Sequence, residues 1–234
     1  MTIDASRFES TQRTAIEWLR KARVLPVVTV DSAEQGVETA RALLEGGLTA
    51  IEVTLRTPAA LDAIRAIRRA VPGIALGAGT VLNGAQIAAA REAGAAFLVT
   101  PGTPPALAED LAGSGLPVVP GAATPSELIA LSSRGFRVAK LFPAAAIGGL
   151  ALVRALQGPL GDLLLCPTGG IGEDDAPKYL AEKNVVAIGG SWMVKGEWLR
   201  AGRFDDVRDA ARRIVAAVGA QPSEPRRSDR PGAR

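Results

Sequence analysis

Histidine is absent from all 234 residues, and that one absence removes much of the catalytic repertoire. Without imidazole there is no Ser-His-Asp triad, no His-ligated zinc and no imidazole acid–base chemistry. Cysteine is nearly absent too: the lone Cys166 allows no disulfide framework and no Cys-cluster metal site. With no histidine to draw off its proton, Cys166 is expected to be a small buried apolar residue and not a nucleophile. Aromatics amount to 4%, against 47% hydrophobic residues and 26 glycines. That mix suits aliphatic parallel strands and tight turns, not an aromatic-rich β-sandwich. No apolar run approaches the ~18 residues of a membrane span, and the opening MTIDASRFES has no signal-peptide core. A cytoplasmic protein without membrane association is therefore expected. Chemistry is left to Lys, Glu, Asp, Arg, the hydroxyls, Cys166 and Tyr179.

Nor is there a large surplus of one charge. In the closing QPSEPRRSDRPGAR, four arginines against two acids supply +2 of the net +3. This basic, Pro- and Ser-rich tail (220–234) reads as disordered, and with no RNA or DNA motif beside it no nucleic-acid partner is expected. Residues 1–219 then form one domain, a length that α/β barrels use as a single unit. Such a domain buries roughly 70–75% of its unfolded surface and needs no metal or disulfide to hold it.

What is present is a βα rhythm. Short apolar runs at 25–30, 49–55, 74–80, 96–100, 117–120, 136–142, 163–168 and 185–190 alternate with helical patterns. Eight such strands predict a closed (β/α)8 (TIM) barrel, since a doubly wound sheet more often stops at five or six. An extra N-terminal helix (8–22) precedes the barrel and a final helix (204–218) closes the chain. Helix starts are expected at Ser32, at Thr57-Pro58 and at the capping box Thr124-Pro125-Ser126-Glu127, with Gly46-Gly47 ending the helix that Ser32 opens.

Strand alternation picks out the chemistry. In TAIEVTLRT, Ile51, Val53 and Leu55 suit the helical layer, so Glu52, Thr54 and Arg56 point inward; a structural ion pair and a catalytic role both account for them. In FRVAKLFPA, Arg137, Ala139 and Leu141 face the helices, and Phe136, Val138 and Lys140 face in. Of five lysines, only Lys140 sits inside an apolar strand. It is either a strand-end lysine snorkelling to water or a nucleophile. A free amine of pKa ~10.4 is neutral at pH 7 in about one molecule in 2,500, and burial or a nearby cation such as Arg56 raises that fraction. A neutral lysine can attack a carbonyl to give an iminium, with Glu52 as proton shuttle and Arg56 as carboxylate receptor. Pro167-Thr168-Gly169-Gly170 and Gly189-Gly190-Ser191 end the last two strands, where barrels commonly bind phosphate; plain turn geometry is the alternative. GAGTVL (77–82) lacks the third glycine of a dinucleotide loop, and Thr80 more simply offers a hydroxyl.

The motifs IEVTLRT, GAGTVLN, VTPG, VVPGAATPSEL, KLFPA, CPTGGI and GGSWM, in this order, resemble the 2-keto-3-deoxy-6-phosphogluconate aldolase family, some members of which act on 4-hydroxy-2-oxoglutarate. The resemblance spans residues 12–218. It implies a homotrimeric (β/α)8 barrel that needs no cofactor and cleaves a phosphorylated 2-keto acid to pyruvate and D-glyceraldehyde 3-phosphate in the Entner–Doudoroff route. It places the Schiff base on Lys140 and the acid/base on Glu52. Arg56, Thr80 and Pro101 would line the pyruvate end, Thr168 would lie near the reacting carbons, and Gly169, Gly170, Gly190 and Ser191 would receive the phosphate. Two positions depart from, or divide, the family. Ala145 stands where relatives usually carry Glu, and Thr29 lies in the stretch where phosphogalactonate-type relatives often carry Arg.

Two other readings remain open: a 4-hydroxy-2-oxoglutarate aldolase giving pyruvate and glyoxylate, and a phosphosugar barrel that is not an aldolase. All of them dispense with zinc. Activity is expected to survive exhaustive EDTA treatment, because no His or Cys cluster exists to hold the ion; loss of turnover restored by Mg²⁺ or Mn²⁺ would move the chain to metal-dependent catalysis.

Overall fold

The structure, a computed structural model, describes residues 5–219; the basic segment 220–234, expected to be disordered, lies outside them. Helix α1 (Ala5–Ala22) leads into β1 (Val24–Val28), and strands and helices then alternate: α2 (Ala33–Glu45), β2 (Ala50–Thr54), α3 (Ala60–Ala70), β3 (Ala75–Gly79), α4 (Gly84–Ala93), β4 (Phe97–Val99), α5 (Pro105–Gly113), β5 (Val118–Val119). The second half runs β6 (Gly121–Ala122), α6 (Pro125–Ser133), β7 (Val138–Leu141), α7 (Gly149–Leu156), β8 (Leu164–Pro167), α8 (Ala176–Leu180), β9 (Ile188–Gly190), α9 (Gly196–Arg200) and α10 (Phe204–Val218). Every strand pairing is parallel, so the chain has an α/β fold built on a curled parallel sheet.

The single eight-stranded sheet expected at 117–120 and around it needs correction. The ladder divides into a six-stranded sheet of order β5-β4-β3-β2-β1-β9 and a three-stranded sheet of order β6-β7-β8. The break falls at Pro120, which has no N–H to donate. Its carbonyl still accepts from Lys140 N at 2.8 Å, while the next amide, Gly121 N, turns to the Thr100 side chain at 2.8 Å. The strand that pairs with β4 before the proline therefore pairs with β7 after it. On the other side, β8 reaches the β9 segment through bridges Leu165↔Val185 and Thr168↔Gly189. The stretch between these bridges is one residue longer on the β9 side, the count of a bulge.

Two apolar layers hold the fold. Residues facing the helices, among them Ile51, Val53, Leu98, Ala139, Leu141 and Ile188, form one cluster with the helices' inner faces. A second cluster fills the sheet's concave side with Leu25, Ala50, Phe97, Val99, Val119, Val138 and Cys166, closed by Ala15, Leu19 and Ala22 of α1. Trp18 adds a ring contact to Phe97 at 6.0 Å between centroids. Gln12 of α1 is fully buried: its amide donates to Val118 O at 3.4 Å and its oxygen accepts from Arg137 N at 3.1 Å. One side chain thus joins β5 of one sheet to the approach to β7 of the other. Phe136, expected to face inward, instead meets Phe8 edge-on at 5.0 Å and belongs to the outer cluster, because it precedes the first paired residue of β7.

Helix ends follow the sequence where side chains cap them. Ser32 accepts from Gln35 N, and Thr124 with Glu127 completes the capping box. Thr57-Pro58 does not start its helix: α3 begins at Ala60, and the Thr57 hydroxyl donates to Val30 O at 2.6 Å, which ties the end of β2 to β1. Among the described residues no helix is long and apolar enough to cross a membrane. Because α1 seals the inner layer, Leu19→Ala (4% exposed) is expected to destabilise the protein by about 2–5 kcal/mol in urea unfolding. A loss under ~0.5 kcal/mol would mean that α1 is only a surface attachment.

Candidate active site

The pleat of β2 sends Ile51 and Val53 to the helices and turns Glu52 and Thr54 to the concave side, where both are buried. The pleat of β7 does the same for Lys140, flanked in register by Gly121 of β6 and Cys166 of β8. Although 88 residues apart, Lys140 and Glu52 meet: Lys140 Nζ donates to Glu52 Oε1 at 3.2 Å and to Oε2 at 3.4 Å. Their side chains are 5% and 1% exposed. A snorkelling lysine would put its ammonium in water, whereas this one keeps it inside the protein against a carboxylate. Glu52 is also the acceptor the amine needs if it is to lose its proton and become a nucleophile.

Bare backbone makes room for the pair. A Cβ on Gly79, the inward position at the end of β3, would lie 2.1 Å from Glu52 Oε1. Cys166 lies beside Lys140, and burial pushes its thiol up to about 12, although the lysine's charge pulls the other way. It stays protonated and apolar in character, as expected from the lack of a base.

Above the pair opens a cleft of about 490 Å³. Val27, in register with Glu52, and Phe142, whose ring centroid is 5.4 Å from Lys140 Nζ, are in its wall, so the paired charges lie next to the cleft although neither is part of its lining. Six of the expected residues line it: Arg56, Thr168, Gly169, Gly170, Gly190 and Ser191. Arg56 is exposed at the rim and donates from Nε to Thr80 Oγ1 at 3.1 Å. Its terminal nitrogens have no protein partner among the described residues, which leaves that edge of the guanidinium open to a carboxylate. Thr80 holds its hydroxyl there from a left-handed backbone, φ 58°, rare for a β-branched residue. Thr80 and Pro101 are outside the cleft wall. Thr80 reaches it through Arg56, and the Pro101 backbone packs against Gly121, the register neighbour of Lys140.

The glycines divide into two kinds. Gly169 (φ 98°) and Gly170 (φ 74°) occupy conformations that side chains resist, so turn geometry already requires them. Gly190 is different: a Cβ there would fall 1.8 Å from the Trp192 ring. Its small size admits an indole to the cleft wall, a reason invisible in the sequence. Phe142, Trp192, Lys195 and Thr29 also line the cleft, and of these the sequence marks only Thr29, through the resemblance. Phe142 was findable, since it continues the inward parity of Lys140. Lys195 is exposed, and its Nζ sits 4.8 Å over the Trp198 ring.

Residues 15–210 match the family model described as KDPG and KHG aldolase, where KDPG is 2-keto-3-deoxy-6-phosphogluconate. The chain belongs to the KDPG and KHG aldolase family. Among the family's characterised members, the KHG/KDPG aldolase of Escherichia coli K12 is 44% identical over 192 residues, covering 82% of this chain and 90% of the relative. The KDPG aldolase of Legionella pneumophila, with pyruvate captured at low pH as a covalent carbinolamine intermediate, superposes with a TM-score of 0.83 at 34% identity and covers 86% of this chain and 97% of its own. The enzyme of Zymomonas mobilis ZM4, solved with 3-phosphoglycerate, gives 0.83 at 36% identity, covering 89% and 100%.

The buried pair makes one close prediction for this family member. Gly79→Ala is expected to displace the Glu52 carboxylate and lower turnover by about 10²-fold or more, with circular dichroism unchanged. A folded Gly79→Ala protein with full turnover would show that the carboxylate need not sit where it does.

Proposed function

We propose that this chain is a class I aldolase that cleaves 2-keto-3-deoxy-6-phosphogluconate to pyruvate and D-glyceraldehyde 3-phosphate through a Schiff base on Lys140. The observation carrying this reading is a lysine and a carboxylate paired at 3.2 Å, closed off from solvent, beside an open cleft whose wall includes Phe142, 5.4 Å from the lysine amine. In the proposed sequence Lys140 passes its proton to Glu52 and attacks the C2 carbonyl. The carbinolamine, of the kind captured in the Legionella relative, takes that proton from Glu52 onto its hydroxyl and loses water to give an iminium, which leaves Glu52 a carboxylate again. Glu52 then takes the C4 hydroxyl proton as the C3–C4 bond breaks, and the bonding electrons move into the iminium to form an enamine. D-glyceraldehyde 3-phosphate leaves. Protonation of the enamine at C3 restores the iminium, and water releases pyruvate from Lys140.

The open edge of the Arg56 guanidinium suits the C1 carboxylate, with Thr80 holding the arginine and Pro101 shaping that end. Thr168 is beside the reacting carbons. Gly169, Gly170, Gly190 and Ser191 receive the phosphate at the far end of the cleft. We further propose that the two sheets act as one closed (β/α)8 barrel within a single domain, 1–219. Support comes from the carbonyl of Pro120, which joins β5 to β7, and from the two bridges between β8 and the β9 segment. Homotrimeric assembly and action in the cytoplasm, both implied by the resemblance, complete the proposal.

Pyruvate with borohydride is expected to add a reduced pyruvyl group to the peptide carrying Lys140, and Lys140→Arg to abolish turnover, since a guanidinium cannot become a neutral nucleophile. Label on Lys195, which also faces the cleft, would sink the mechanism. The 6-phosphorylated keto acid is expected to exceed its dephosphorylated analogue by about 10²-fold or more in kcat/KM. Equal efficiency on 4-hydroxy-2-oxoglutarate would favour the dicarboxylate aldolase instead.

A further inference from the structure

Two hydroxyls meet at the end of β1: Thr29 Oγ1 and Thr54 Oγ1 are 2.8 Å apart. Such a pair forms one hydrogen bond but carries two protons, so one proton is left over. Burial decides which. Thr54 is 0% exposed and Thr29 is its one hydrogen-bond partner among the described residues, whereas Thr29 is exposed and lines the cleft. If Thr29 donated, the Thr54 proton would be stranded in a dry interior, the costly way to leave a polar group. Thr54 therefore donates, and the Thr29 hydroxyl is left with its own proton to offer to the cleft.

Its place in the sheet says what it meets. Strand β1 runs between β2, which carries Glu52, and β9, which carries Gly190. A substrate stretched from the Lys140–Glu52 pair to the loop after β9 passes the end of β1 on the way. Two other threonine hydroxyls near the cleft spend their protons within the protein, Thr168 on Cys166 O and Thr57 on Val30 O, and Thr80, which accepts from Arg56 and keeps its proton, is outside the cleft wall. On the aldolase reading given above, we infer that Thr29 is a specificity-determining residue. It donates a hydrogen bond to the substrate hydroxyl between the cleaved bond and the phosphate, the C5 hydroxyl of the keto acid and the C2 hydroxyl of the released aldehyde. Thr54 sets the direction of that donor by occupying the Thr29 lone pair from below.

The test is a pairing of two enzymes with two aldehydes in the synthetic direction. Pyruvate is condensed with D-glyceraldehyde 3-phosphate and with 3-oxopropyl phosphate, which lacks only the hydroxyl, by wild type and by Thr29→Val. The valine keeps shape and β-branching and removes the donor. Thr29→Val is expected to lose about tenfold in kcat/KM on the hydroxylated aldehyde and to change by less than about twofold on the other. Thr29→Ser restores the difference, and borohydride trapping of pyruvate on Lys140 is the same in all three proteins. Equal losses on both aldehydes, or no loss on either, overturn the role of Thr29 while leaving the aldolase reading in place. Failure of the wild type to condense either aldehyde with pyruvate overturns both.

Discussion

The rest of this structure depends on the ion pair between Lys140 and Glu52, two charges held 3.2 Å apart with almost no exposure. Removing opposite charges from water is expensive, and their attraction in the interior repays it only when the geometry is good; breaking such a pair costs about 3–5 kcal/mol. Several otherwise separate features serve that geometry. The pleats of β2 and β7 aim both side chains inward. Gly79 leaves the carboxylate its space, and Gly121 and Cys166 flank the lysine without competing for its proton. An inert thiol is the fitting neighbour: its proton is held by burial, so it neither attacks a substrate nor adds a second negative charge beside Glu52.

The two ends of the sheet have different tasks. At the strand starts, α1 closes the inner layer with Ala15, Leu19 and Ala22, and Gln12 joins the two sheets through backbone groups of Val118 and Arg137. At the strand ends the helical cover is missing, and the loops after β8 and β9 form the cleft. The break at Pro120 sits between these regions. A proline can stand there because Gly121 N finds the Thr100 hydroxyl and the Pro120 carbonyl still serves Lys140 N. The backbone that carries the lysine is therefore anchored at the residue where the ladder is interrupted.

Polar groups in the cleft are placed by neighbours that hold them from behind. Thr80 fixes Arg56, Thr54 orients Thr29, and Gly190 admits Trp192. Arg56 and Thr29 each keep a free valence toward the cleft because their partners have used another one, whereas Gly190 acts by its small size alone. Preorganisation of this kind avoids much of the ordering cost when a flexible, phosphorylated keto acid binds.

Much was legible in the sequence alone. The lack of histidine, the parity of Glu52 and Lys140 in their strands, the caps at Ser32 and Thr124 and the βα rhythm are local properties, because alternation and capping involve residues a few positions apart. The buried lysine and carboxylate could thus be singled out before any contact was known. Contacts between distant segments were another matter. That Lys140 and Glu52 touch across 88 residues, that Thr57 bonds Val30 in place of starting a helix, and that Phe136 turns outward to Phe8 all depend on what the chain brings alongside. Gly190 makes the point best: its sequence context suggests a turn or a phosphate loop, yet its size is demanded by an indole ring that folds back over it. Period and propensity act along the chain, whereas packing and desolvation act through space, so the residues of the site were set by the sequence and their partners only by the tertiary structure.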